Sequence, residues 1–107
     1  MNTREVLKEM TLAAKGSLGD KWPEMKSYTE SELKKLAETM SMIQKLSASD
    51  AITKKQAKLL LDIQKNTART VMLTVEGMGL MAVEKTLDNA FAVVKTPINT
   101  LLGWKLL

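Results

Sequence analysis

Three carboxylates, Glu76, Glu84 and Asp88, lie in the most apolar part of this 107-residue sequence, a region rich in Met, Leu, Val, Ala and Gly. Carboxylates held among apolar side chains are candidates for general acid, general base or metal-ligand roles. Glu76 is the strongest of them, as the single ionisable residue of "VMLTVEGMGLMAV", residues 71–83. Helical di-iron sites, however, need Glu-x-x-His pairs, and the chain has no histidine. A salt bridge to Lys85 or a neighbouring basic residue, and simple exposure for Glu84 and Asp88, account for the same residues without chemistry.

Two short motifs invite similar scrutiny. Ser31 to Lys34, "SELK", matches the S-x-x-K pattern in which a lysine amine activates a serine. On a helix whose Leu33 faces a neighbour, the pair is more simply a solvent-facing one. Gly77 to Ala82, "GMGLMA", matches G-x-G-x-x-A, but a dinucleotide site needs a following βαβ unit and an acid about 20 positions on. The last acid here is Asp88. With no cysteine and no histidine, thiolate nucleophiles, Ser-His and Cys-His pairs, imidazole switches and most zinc sites are excluded. The expectation is a protein that is not an enzyme and has no cofactor or metal.

The formal charge of +4 is placed unevenly. Residues 1–50 balance eight basic against eight acidic side chains, whereas residues 51–70 hold Lys54, Lys55, Lys58, Lys65 and Arg69 against Asp62 alone. Lys54, Lys58, Lys65 and Arg69 form a row on a helical wheel. Such a basic face can attract phosphates or anionic lipid heads, although a solvated charged face is the ordinary explanation. Without interleaved aromatics, a basic tail or a helix-turn-helix pattern, nucleic acid is not an expected partner.

The elements that carry these residues follow from composition. At 45% apolar, 26% charged and 4% aromatic, with two prolines, the chain has the makings of a single all-α domain over residues 1–107. The spacing predicts a small bundle of three to four helices at about 3–17, 21–46, 50–95 and 97–106. Val6, Met10, Ala13 and Ala14 give the first its apolar side, and Gly16 and Gly19 end it. Pro23 fits a first helical turn, or the second helix starts at Thr29, whose spacing to Glu32 matches a capping box. Leu33, Leu36, Met40 and Ile43 make a seam for a neighbouring helix. Ser49 or Asp50 is placed to cap the third helix, and Pro97 to break it from a last short one.

The third helix shows two faces in its first half. Ile52, Gln56, Leu59, Leu60, Ile63, Thr67, Thr70, Val71 and Thr74 share one side, with the basic row opposite. Unbroken, it would reach about 70 Å, far beyond a compact domain of this size. It must therefore bend near Gly77 to Gly79 or project into a partner. Past Arg69 the basic row turns apolar, leaving a segment with no water-loving side and little material in the chain to cover it.

The resulting expectation is a homo-oligomer, a dimer by symmetry preference, completed through Met72, Val75, Gly79, Leu80, Val83 and Ala90, with a helical protein as a further partner. Folding of the C-terminal helix over residues 71–83 is the self-contained alternative. Another is a peripheral binder of membrane surfaces using the basic row and "INTLLGWKLL". A small-molecule or metal-binding bundle is a third. The interrupted apolar stretch does not span a membrane, and "MNTREVLKEM" lacks the features of a signal peptide, so the expected location is cytoplasmic.

Overall fold

In the computed structural model, which describes residues 2–74 and 79–107, the chain forms a small all-α bundle. Helices α1 (Thr3–Leu18), α2 (Trp22–Ala48), α3 (Lys54–Thr74) and α4 (Leu80–Leu102) come in that order, with a single 3₁₀ turn, Gly19–Lys21, between the first two. Consecutive helices run antiparallel, and α4 returns along α1 to close the set.

Local chemistry sets most of the boundaries. The Asn2 side chain accepts from the Glu5 amide and starts α1. Gly19, at φ +54°, ends it in a backbone conformation that other residues adopt at a cost. Pro23 occupies the first turn of α2, where its missing N–H removes no helical bond. The second helix thus starts at Trp22, and Thr29 lies inside it, fully buried. Glu32 pairs with Lys35 at 3.1 Å, not with a helix start.

A capping box does form, further along the chain. The Thr53 hydroxyl accepts from the Gln56 amide at 3.0 Å, and the Gln56 side chain accepts from the Thr53 amide at 2.9 Å. Ser49 and Asp50, expected as caps of the third helix, instead belong to the turn that leaves α2. Asp50 takes φ +56° and its amide donates to the Ser47 carbonyl.

The 50–95 stretch takes the first of its two expected outcomes: it is divided into two helices, and Gly79 is the extended N-cap residue of the second. The molecule's longest dimension is 42 Å, whereas residues 54–102 as one helix would need about 70 Å. Pro97 does not end a helix: α4 runs through it to Leu102 and stops at Gly103, φ +79°, whose amide donates to the Asn99 carbonyl. Pro97 and Val93 are both exposed, so the Val93 carbonyl that loses its helical donor faces water.

The core draws on every helix. Met10, Ala14 and Leu18 of α1 meet the α2 seam Leu33, Leu36, Met40 and Ile43, which the spacing identified correctly. Ala57, Leu61, Ala68 and Met72 enter from α3, and Val83, Leu87, Ala90, Phe91, Val94 and Ile98 from α4. The buried line of α3 lies about 130° round from its expected apolar side at 100° per residue. Small Ala57 and Ala68 let α3 approach closely, and its basic residues are drawn toward carboxylates on α4.

Candidate interaction surface

The side of α3 turned away from the core carries Gln56, Leu59, Ile63, Asn66, Thr67, Thr70 and Thr74. Leu59 is 60% and Ile63 54% exposed, although the sequence pattern assigns both to a core. No charged residue interrupts this line; Lys55 and Asp62 sit on its flank. The Thr67 hydroxyl donates to the Ile63 carbonyl at 3.0 Å, and the Thr70 hydroxyl to the Asn66 carbonyl at 2.9 Å. Hydroxyls bonded back to their own helix leave the γ-methyl groups as the surface offered to a neighbour. The face is therefore more apolar than its composition suggests.

The basic row of the same helix turns the other way, toward α4 and the C-terminal residues. Lys54 Nζ lies 5.8 Å from the Trp104 ring centre. Lys65 Nζ is 3.9 Å from Asp88 Oδ1 and 5.0 Å from the centre of the Phe91 ring. Arg69 hydrogen-bonds Glu84 and also reaches the Asn66 side chain. Of the row expected as a solvated face, Lys54 and Lys58 are exposed, whereas Lys65 and Arg69 are half-buried beside carboxylates of α4. The Arg69 hydrogen bond is the main reason the Glu84 carboxyl titrates below its ordinary value; partial desolvation opposes this, and the charges of Arg69 and Lys65 reinforce it.

The six residues expected at an interface between copies are divided by the structure. Met72, Val83 and Ala90 are fully buried within the single chain, which corrects the premise that their cover must come from outside. Val83 and Ala90 belong to α4 and are covered when that helix packs back on the bundle, on α1 above all, where Ala14, Ala90 and Thr86 permit close approach. Gly79 is exposed, Leu80 is 59% exposed, and the adjacent Met81 is 87% exposed at the start of α4. Val75 lies outside the described residues, as do Glu76, Gly77 and Met78.

The remaining candidates for chemistry are not brought together. Ser31 and Lys34 are both exposed on α2. Gly79 and Ala82 belong to the start of a helix that comes after another helix, not to a strand-to-helix turn. Among the described residues no group of three or more acids forms a metal cage. An open groove of about 370 Å³ between α3 and α4 has Leu61, Phe91 and Leu106 in its lining, together with Lys65, Asp88 and Lys95. Its acids and bases occur side by side, and Lys65 and Asp88 already pair with each other.

The outward α3 line was missed as a surface because a helical period gives the width of an apolar stripe but not what it faces. The clue present in the sequence was its chemistry: two branched residues among Thr and amides, lacking the bulk of the Leu33 seam. No known protein family, curated protein or solved structure matches the chain.

Proposed function

We propose that this chain is a non-enzymatic helical interaction protein whose biochemical act is association with further copies of itself, with the cytoplasm as its setting. The observation that carries this is the placement of Leu59 and Ile63, both more than half exposed on the side of α3 opposite its buried line. A charge-free strip that presents Leu59, Ile63 and the methyl groups of Thr67 and Thr70 on an otherwise charged small protein favours a contact surface over a solvated one. Leu80 and Met81 add exposed apolar area at the other end of the α3–α4 hairpin. No helix of the described residues is long and apolar enough to cross a membrane.

Mass measurement by light scattering across a dilution series tests the proposal. Mass should exceed that of the 11.9 kDa chain at high concentration and fall toward it on dilution. A constant single-chain mass throughout would reject it.

A further inference from the structure

Resting on the self-association proposed above, we infer that two copies meet through the outward faces of α3, antiparallel, about a twofold axis between Leu59 and Ile63. In that register Leu59 of one copy packs against Ile63 of the other, twice. Gln56 of each copy then lies level with Asn66 of the other; their oxygens already accept from the Thr53 amide and from Arg69, so each offers the other its NH2 donors and one remaining lone pair. A twofold contact uses the same patch on both copies, so the patch must suit itself.

Charge selects the occupant. The outward residues of α1 include Arg4, Glu5, Lys8, Glu9 and Lys15, and those of α2 include Lys34, Lys35, Glu38 and Lys45; Lys85 interrupts α4, whose uncharged outward stretch beyond it offers Val93 as its large apolar side chain. Docking any of these charged residues on the α3 line strips water from an ion without offering it a partner. A second α3 line carries no ion within it, and Lys55 and Asp62 lie only at its edge. Thr67 and Thr70 fit this occupant as well: their hydroxyls are already satisfied at 3.0 and 2.9 Å within the helix, so burial leaves no donor stranded. On a solvent face, by contrast, Lys or Glu would favour helix more than Thr does.

Area sets the strength of the pair. From Gln56 to Thr74 the line is about 27 Å long and about 10 Å wide, roughly 270 Å² per copy. A standard stable interface takes roughly 800 Å² per partner, so this one is reversible and concentration-dependent.

The test compares the wild-type chain with Ile63→Lys, which places two like charges beside the axis at an already exposed position. The chain has no cysteine, so Leu59→Cys and Ile63→Cys chains can be mixed and treated with a short bismaleimide, with Lys85→Cys as control. The expected results are a wild-type dimer that dilutes apart, at least a 100-fold weakening in Ile63→Lys with unchanged circular dichroism, and cross-linking between Leu59→Cys and Ile63→Cys chains but not with Lys85→Cys. Thr67→Val with Thr70→Val keeps the methyl groups and should hold or tighten the dimer; a tenfold weakening would overturn the role given to them. A wild-type dimer that survives Ile63→Lys and yields no 59–63 cross-link overturns the α3 geometry while leaving self-association standing. A wild-type chain that stays monomeric removes both.

Discussion

Arg69 on α3 holds the carboxylate of Glu84 on α4, and one turn deeper on each helix Lys65 stands 3.9 Å from Asp88. Moving back four residues on one helix and forward four on the other gives the next pair, which is the signature of antiparallel neighbours. These long side chains bridge a seam that is packed less closely than the α1–α4 and α2–α3 contacts. Burial of Ala57, Leu61, Ala68 and Met72 sets the rotation of α3, the pairs to α4 agree with it, and the line containing Leu59 and Ile63 faces outward.

The Arg69–Glu84 pair gives the fold an acid-side pH dependence. Because Glu84 titrates below its ordinary 4.5 in the folded chain, the stability it contributes is present above that value and is lost as pH falls through the lowered folded value. Glu84→Gln should therefore melt at a lower temperature than wild type near neutral pH, and the gap should narrow as pH drops below 4.5. Thermal melts of both proteins over a pH series measure it. A gap independent of pH would show that the pair adds nothing to folding.

Close packing of α4 on α1 makes a second prediction. Ala90 is fully buried, as is Ala14 on α1, and the Asn89 side chain donates to the Ser17 hydroxyl at 2.7 Å across the same contact. Ala90→Leu adds three carbons where space is filled and should cost about 1–3 kcal/mol. Chemical denaturation at two protein concentrations distinguishes this from an effect between copies. The loss should be the same at both, since the residue is covered by its own chain.

How much of this was legible in the sequence depends on the kind of signal. Leu33, Leu36, Met40 and Ile43 are large, regularly spaced and flanked by charge, so both the helix and its buried side were evident. Pro23 carried its own positional meaning. On α3 the buried side is made by Ala57 and Ala68 as much as by Leu61 and Met72, and small residues weigh little in an apolar count even though they allow the closest approach. The ion pairs between α3 and α4 join residues on separate helices, which no local window contains. Pro97 reads as a break because an interior proline removes a hydrogen bond, yet its exposed position lets water replace that bond. Of the candidate surface, Gly79 and Leu80 do lie outward, whereas the positions of Met72, Val83 and Ala90 depend on how α4 folds back.

Asn99 supplies the last prediction, from a role with no sequence motif. Its side-chain oxygen accepts from the Leu106 and Leu107 amides at 2.9 and 3.0 Å, and its amide nitrogen donates to the Leu107 carbonyl at 3.2 Å. One side chain thus takes the place of a neighbouring strand for residues beyond Gly103, holding buried Leu106 at the end of the α3–α4 groove and Trp104 near Lys54. Asn99→Ala leaves two amides and a carbonyl, all part-buried, without these partners and should cost about 1–3 kcal/mol, toward the lower end because water reaches them in part. Amide hydrogen exchange should accelerate at Leu106 and Leu107 far more than in α2, and Trp104 fluorescence should shift to the red as the ring meets water. Unchanged exchange at both amides would show that apolar contact through Leu106 holds this segment without the Asn99 bonds.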